Sequence, residues 1–231
     1  MASVPAGTTI VDLKPVCTVK INPDGTLERH KVRIVARGFK QKPGVDFDEN
    51  SIFSPASQLD SVRMIFAIAV KNKLSIHHFD TKTAFLNTPS KTPAYVKVLP
   101  GMEKDGMSYA RTNKCVYGLK TSNRDWYELN HKTILEIEPR FKCSEVDPCL
   151  YSFHDKEANQ MVALLVHTDD HKCCHNCPEW YEMFKSKYQE HFEIKDLGEM
   201  TQFLSMAVVK DGTSLKLHQK KQISDYWFST I

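Results

Sequence analysis

The feature that most constrains this chain is a pair of adjacent aspartates that follows an apolar strand. Val162-Ala-Leu-Leu-Val166 runs through His167-Thr168 into Asp169-Asp170. Two carboxylates beside a buried strand are costly to desolvate unless something positive lies next to them. Acids are also common in turns, so a plain polar turn between two strands is the other explanation of this pair.

A second predicted strand also ends in an acid, because Leu74 to Asp80 alternates as a strand does. If the two strands are neighbours in one sheet, Asp80, Asp169 and Asp170 converge at its edge. Hard oxygen ligands of this kind hold Mg²⁺, which fills its shell with water and substrate phosphates. Two such ions a few ångströms apart suit an in-line phosphoryl displacement.

The order of predicted elements favours an α+β fold with helices on one face of an antiparallel sheet. An N-terminal hairpin is expected around the turn Asn22-Pro-Asp-Gly25, and a last hairpin around Asp211-Gly212. Apolar spacing predicts helices after Asp60, over about 122–136 and from Pro178, and paired strands over 147–153 and 161–166. The segment 195–198 is expected only as the break after the third helix.

Composition excludes several classes of protein. With 231 residues, 41% of them hydrophobic and 26% charged, the chain is expected to be soluble and to bury a core. Its longest apolar run, 64–70, is too short to cross a bilayer, and its first residues lack the pattern of a signal peptide. Because the seven cysteines are an odd number, they cannot all pair in disulfides. Together with the lack of a signal-peptide pattern, this favours reduced thiols. We therefore expect an intracellular protein of the cytoplasm or nucleus that is not secreted and has no membrane partner.

Positive charge is concentrated near the N-terminus although the net charge is only +3. The segment from Lys20 to Lys42 carries seven Lys or Arg residues against two acids. Such a cluster is typical of a surface that binds polyphosphate or a nucleic-acid backbone. A solvated strand face is the alternative explanation.

Several motifs occur in one order along most of the chain. They are Lys31-Val-Arg-Ile-Val-Ala-Arg-Gly-Phe39, Phe53-Ser-Pro55, Phe79-Asp-Thr-Lys-Thr-Ala-Phe-Leu-Asn87, Val116-Tyr-Gly-Leu-Lys120 with Trp126-Tyr127, Ser144-Glu-Val-Asp-Pro-Cys-Leu-Tyr151, Asp169-Asp170 and Phe192-Glu-Ile-Lys-Asp-Leu-Gly-Glu199. In this order they resemble the reverse transcriptase domain of Ty1/copia-type LTR retrotransposons. The resemblance implies a reverse transcriptase domain over 14–222, an N-terminal extension over 1–13 and the start of a truncated thumb region over 223–231.

The resemblance also implies a right-hand polymerase fold. The fingers would come from the N-terminal hairpin and the Thr88–Leu119 region, the palm from the antiparallel sheet that bears the acids, and the thumb would be largely missing. The implied activity is RNA-directed DNA synthesis from dNTPs on a primed RNA or DNA template. Asp80, Asp169 and Asp170 would be the catalytic acids and would hold two Mg²⁺ ions, with Mn²⁺ as a possible substitute.

Further site residues follow from the same resemblance. The nucleotide-binding set would be Lys31, Arg33, Phe85, Tyr117, Gly118 and Lys120, and the primer-positioning pair would be His167 and Thr168. The Phe85 ring would clash with a ribose 2′-hydroxyl and so select dNTPs. The alternative is that Phe85 is a buried core residue without a role in nucleotide selection. Lys31 and Arg33 would grip the incoming phosphates, or else contact only template phosphate.

Two departures from the family pattern lie beside the paired acids. His167-Thr168 stands where Tyr-Val is usual, and His171-Lys-Cys-Cys-His175 stands where the strand is usually apolar. None of the departures is expected to touch the three acids. We interpret the cysteines as small apolar substitutes in a strand, with a zinc site as the alternative.

Two other functions stay open. A non-catalytic remnant would bind nucleic acid through the same basic hairpin, with strong salt dependence and without turnover. A metal-dependent phosphohydrolase on an unrelated fold would explain the three acids but not the ordered motifs.

Overall fold

The computed structural model describes residues 4–5, 7–21, 26–103, 106–203, 206–211, 214–220 and 223. In chain order the elements are β1 (Ile10–Ile21), β2 (Leu27–Ala36), α1 (Leu59–Lys71), β3 (Ser75–Thr81), α2 (Ala84–Asn87), β4 (Tyr95–Lys97), β5 (Tyr109–Arg111), α3 (Ser122–Ile137), β6 (Lys142–Cys143), β7 (Leu150–Asp155), β8 (Gln160–His167), β9 (Asp170–His175), α4 (Pro178–Gln189), β10 (Ile194–Glu199), β11 (Gln202–Phe203), β12 (Met206–Asp211) and β13 (Ser214–His218). They form two compact units, one of Met1–Ser54 with Thr83–His131 and one of Pro55–Lys82 with Lys132–Ile231.

The first unit is built on a four-stranded sheet of order β2-β1-β4-β5. Strands β1 and β2 pair antiparallel as the predicted N-terminal hairpin, whose predicted turn, 22–25, lies outside the described residues. Strand β1 continues into a parallel pairing with β4. Val11, Ala36, Val96 and Leu119 bury their side chains together as the core of this unit.

The second unit is built on a six-stranded antiparallel sheet of order β10-β3-β9-β8-β7-β6. Its central strand β9 is buried on both faces, and successive side chains point to opposite sides. Cys174 belongs to the core that contains the apolar face of α1. On the opposite face, His171 packs edge to face on Tyr188 of α4 and His175 stacks on Tyr181 of α4. A sheet buried on both faces needs a layer on each side, so the expectation of helices on one face only is wrong.

Helix α1 follows directly from its sequence pattern. Val62, Ile65, Phe66 and Ala69 recur at helical spacing and are all buried. The helix ends in a Schellman motif, in which the Leu74 amide donates to the Ala69 carbonyl at 2.8 Å and the Lys73 amide to the Val70 carbonyl at 3.2 Å. This ending leads the chain straight into β3, the first of the acid-bearing strands.

The segment 195–198 is not merely the break after α4, because it lies within the edge strand β10. Strand β10 pairs antiparallel with β3, and its register shifts between Asp196 and Glu199. Asp196 accepts a hydrogen bond from Lys185 of α4 at 2.6 Å. An exposed, charged edge strand has no apolar alternation, which is why the pattern did not predict it.

Within the residues that the structure describes, no helix combines the length and the apolar character needed to cross a membrane.

Candidate active site

The acid-bearing strands are neighbours in the second unit. Strand β3 pairs antiparallel with β9, and Asp80 stands directly opposite Asp170. Asp169 lies one residue before β9, and its carbonyl accepts a hydrogen bond from the Thr81 amide at 2.7 Å. The three acids therefore lie at the same end of the sheet. The sequence predicted this arrangement only on the condition that the two strands are neighbours, and the structure shows that they are.

A tight turn connects β8 to β9 at this end of the sheet. His167 and Asp170 are paired residues, so Thr168 and Asp169 form the turn between them. Thr168 has a φ of 57°, a left-handed conformation that a β-branched residue rarely adopts. The His167 ring nitrogen Nδ1 lies 2.8 Å from the Ser57 hydroxyl, which fixes this half-buried ring against the segment before α1.

The positive group next to these acids is supplied by β9 itself. Lys172 is two residues beyond Asp170 and so shares its face of the strand. The Lys172 ammonium forms an ion pair with Asp170 Oδ2, and its side chain is 0% exposed against 31% for Asp170. The expectation that no departure from the family pattern touches the acids is therefore wrong. The period-two spacing of Asp170 and Lys172 was the signal that could have predicted this pair.

Electrostatic effects of Lys172 extend to the neighbouring strands. Burial lowers the pKa of Lys172, and the carboxylates of Asp170, Asp169 and Asp80 oppose that change. Burial also lowers the pKa of His78 on β3 and of His167 on β8, and the charge of Lys172 adds to both shifts. The ammonium thus interacts with every acid of the set and with a histidine on each adjacent strand.

The donor chemistry at this end of the sheet fits a hard divalent cation. Three carboxylates are of the type that Mg²⁺ prefers, and Asp170 Oδ1 is buried without a hydrogen-bond partner among the described residues. In the part of the chain that the structure describes, however, no three His, Cys, Asp or Glu side chains are already gathered in a geometry that could hold a metal ion. The acids match the cation in chemical kind, while one oxygen of Asp170 is taken by Lys172.

Part of the predicted nucleotide-binding set meets in the first unit. The rings of Phe85 and Tyr117 pack edge to face with centroids 4.7 Å apart. The Arg33 guanidinium lies 5.9 Å from the centroid of the Tyr117 ring, within cation–π range. Phe85 is only 7% exposed, so it contributes to packing whatever else it contacts.

Gly118 belongs to this cluster because backbone segments cross there. The Ala36 amide donates to the Tyr117 carbonyl at 2.7 Å. A Cβ on Gly118 would lie 2.1 Å from the Ala36 carbonyl oxygen, and the residue has a φ of +88°. Only glycine fits this crossing, which explains the Tyr-Gly pair.

The two lysines of the predicted nucleotide-binding set lie near the two segments that cross at Gly118. Lys31 is half-buried on β2, two residues before Arg33 and on the same face. Lys120 is exposed, and its amide donates to Gln41 Oε1 at 2.9 Å.

The histidines and cysteines of β9 are part of the sheet interior. Cys173 and Cys174 are fully buried, as expected for small apolar substitutes, and His171 and His175 are buried as well. Burial lowers the pKa of His171 to about 3 and that of His175 to about 4. His175 Nε2 lies 2.9 Å from His77 Nδ1, and its ring stacks on Tyr181.

Comparison with known proteins identifies the family. A family model described as reverse transcriptase (RNA-dependent DNA polymerase) matches residues 1–226. The chain belongs to this reverse transcriptase family. The Ty1/copia resemblance of the motifs is confirmed by curated relatives, which are Pol polyproteins of transposons.

Three curated relatives of this reverse transcriptase domain come from plants and yeast. The "Retrovirus-related Pol polyprotein from transposon TNT 1-94" of Nicotiana tabacum is 33% identical over 94% of this chain. The "Retrovirus-related Pol polyprotein from transposon RE1" of Arabidopsis thaliana is 32% identical over 96%. The "Transposon Ty1-NL2 Gag-Pol polyprotein" of Saccharomyces cerevisiae is 32% identical over 55%. The chain spans only 16%, 15% and 8% of these three proteins.

Among solved structures, an apo telomerase from Candida Tropicalis, truncated from the C-terminal domain, is similar with a TM-score of 0.45 and 10% sequence identity. The match covers 92% of this chain and 56% of that one.

Proposed function

We propose that this chain is an RNA-directed DNA polymerase domain that adds dNTPs to a primer 3′-hydroxyl on an RNA or DNA template. The observation that carries the proposal is the direct pairing of Asp80 with Asp170 across β3 and β9, with Asp169 in the adjoining turn. Carboxylates at one end of a sheet are the ligands that a phosphoryl-transfer site needs. Membership of the reverse transcriptase family supports the same activity.

In this proposal Asp80, Asp169 and Asp170 hold two Mg²⁺ ions, which Mn²⁺ can replace. When bound, such ions would supply Lewis-acid chemistry, lowering the pKa of the primer hydroxyl and stabilising the charge of the departing pyrophosphate. His167 is held by Ser57 next to the turn, where it would position the primer end together with Thr168. The second unit would then be the palm.

The first unit would be the fingers. Lys31, Arg33 and Lys120 would bind phosphate groups of the incoming nucleotide. The lysines would do so through a compact ammonium charge and Arg33 through the paired N–H donors of its guanidinium. The edge-to-face packing of Phe85 on Tyr117 supports a rigid ring at the deoxyribose, where a 2′-hydroxyl would clash. Gly118 would allow its backbone to lie close to that of Ala36, and so bring the residues of the nucleotide-binding set together. The predicted division into a domain over 14–222 with an N-terminal extension and the start of a thumb stays part of the proposal.

Primer extension tests the activity. The assay uses an RNA template, a DNA primer, dNTPs and Mg²⁺, and compares the wild type with Asp169→Asn. Extension by the wild type and its loss in Asp169→Asn would support the proposal. Asp211→Asn is the matched control, because Asp211 is an exposed acid at the end of β12 and its loss should leave extension unchanged. Equal extension by the wild type and Asp169→Asn would refute the role of the acids.

A binding protein without turnover is the second candidate, and the pairing of Lys172 with Asp170 favours it. Such a protein would bind primed RNA with an affinity that falls steeply with salt and is indifferent to Asp169→Asn. Filter binding at about 50 and 200 mM salt, run on the same two proteins, separates the candidates when extension is absent.

A further inference from the structure

The environment of Lys172 is that of a core residue rather than of a surface lysine. Its neighbours in register are His78 on β3 and Leu165 on β8. Leu165 and Cys174 belong to the apolar core that includes the buried face of α1. A lysine in such a place is rare unless its charge is paired.

Asp170 is an acid that pairs with the charge of Lys172. Its ammonium contacts Oδ2 of Asp170, while Oδ1 of Asp170 is buried without a hydrogen-bond partner among the described residues. Loss of one partner of a buried ion pair leaves the other charge uncompensated, which is strongly unfavourable. Each group therefore keeps the other in place.

We propose that Lys172 is the resident cation of the acidic end of the sheet, and that a divalent cation binding Asp170 must compete with the Lys172 ammonium. The inference rests on the proposed function, because it takes the same acids as metal ligands. It assigns Lys172 as the residue that sets divalent-cation affinity in this chain.

Charge explains why the competition matters. Asp80, Asp169 and Asp170 together carry a formal charge of −3, and Lys172 reduces it to −2. A unit positive charge within a few ångströms opposes the approach of a divalent cation strongly at the effective dielectric constant of a protein. Lys172 also fills the position at Asp170 Oδ2 that a cation would otherwise occupy.

Mn²⁺ affinity is the direct test, measured on the full chain by the electron paramagnetic resonance signal of free Mn²⁺. Lys172→Met keeps the length of the side chain and removes the charge, so Mn²⁺ should bind about tenfold tighter or more. Lys172→Arg keeps the charge and should stay near the wild type. Lys216→Met is the matched control, since Lys216 also pairs with an aspartate, Asp211, but is 64% exposed. Unchanged or weaker Mn²⁺ binding by Lys172→Met would overturn the proposal.

A second variant keeps the proposal testable if Lys172→Met does not fold. Asp170→Asn/Lys172→Met removes both charges of the pair, a change that buried pairs often tolerate. Because the net charge stays at −2, Mn²⁺ affinity should change by less than about threefold from the wild type. A loss of more than about tenfold would show that metal binds Asp170 in the wild type without effective competition from Lys172, and would overturn the proposal.

The outcomes are independent of polymerase activity. If extension fails but Lys172→Met gains Mn²⁺ affinity, the inference stands and the proposed function fails. If extension succeeds but Lys172→Met gains nothing, the proposed function stands and the inference fails. If neither the wild type nor folded Lys172→Met binds Mn²⁺ at millimolar concentration, the inference is overturned as well.

Discussion

The buried ring of His175 makes the stability of this protein depend on pH. Burial is the main cause that lowers the pKa of His175 to about 4, and the neighbouring His77 adds to the shift. In the unfolded chain the same ring titrates near its ordinary value of about 6.5. Between these two values the unfolded state binds more protons than the native state, so stability falls as pH decreases.

The size of this effect follows from the two pKa values. At pH 5 the unfolded ring is almost fully protonated while the native ring is mostly neutral, which costs about 2 kcal/mol relative to pH 7.5. A typical domain has a total stability of about 5–15 kcal/mol, so the loss is measurable. The contribution is fully present above about pH 6.5 and is lost as the pH falls towards 4.

Urea denaturation at pH 7.5 and 5.0, followed by circular dichroism, measures the loss. His175→Phe keeps a ring stacked on Tyr181, whose centroid lies 4.9 Å away, but cannot bind a proton. The difference in unfolding free energy between the two pH values should therefore be smaller by about 2 kcal/mol in His175→Phe than in the wild type. His30→Gln, at an exposed position of β2, should keep the wild-type difference. Identical pH dependence in His175→Phe and the wild type would refute the reasoning.

Three further substitutions have defined effects on urea denaturation. Gly118→Ala should destabilise the chain by about 3 kcal/mol or more, because the added Cβ would lie 2.1 Å from the Ala36 carbonyl oxygen at a φ of +88°. Lys73→Gly should stabilise it by about 1 kcal/mol, since the left-handed φ of 54° at this helix end suits glycine; a loss of stability would contradict that reading. Glu138→Gln should cost about 1.5–3 kcal/mol, because a buried carboxylate that accepts from Arg140 Nη2 at 2.8 Å loses its charge; no change would show that the pair contributes nothing.

Local pattern was enough to predict the elements whose apolar residues repeat. The spacing of Val62, Ile65 and Phe66 predicted α1, and Pro178 at the first turn predicted the start of α4. The pairing of β7 with β8 was also predicted, and the structure shows that it is antiparallel. Strand β10 was not, because its exposed charged residues carry no period, and only its pairing with β3 makes it a strand. The covering of both sheet faces was missed because it depends on which elements meet, which is not encoded locally.

The candidate site shows the same limit. The sequence predicted that Asp80 and the paired acids converge if their strands are neighbours, and the neighbour relation itself came only from the structure. The need for a positive group beside the acids was also predictable from desolvation. Its source was not, because a lysine in a strand is usually assigned to the solvent face, whereas Lys172 is fully buried beside Asp170.

The reactivity of the cysteines towards alkylating reagents can report how often the sheet opens. Cys17 is exposed, whereas Cys173 and Cys174 are buried in the central strand β9, and burial raises the pKa of both thiols. Because alkylating reagents attack the thiolate, a native molecule should be labelled quickly at Cys17 and at the other two only when the sheet opens. Timed alkylation followed by mass spectrometry would thus measure how often the strand carrying Asp170 and Lys172 separates from its neighbours. No cysteine has to be introduced by mutation for this experiment.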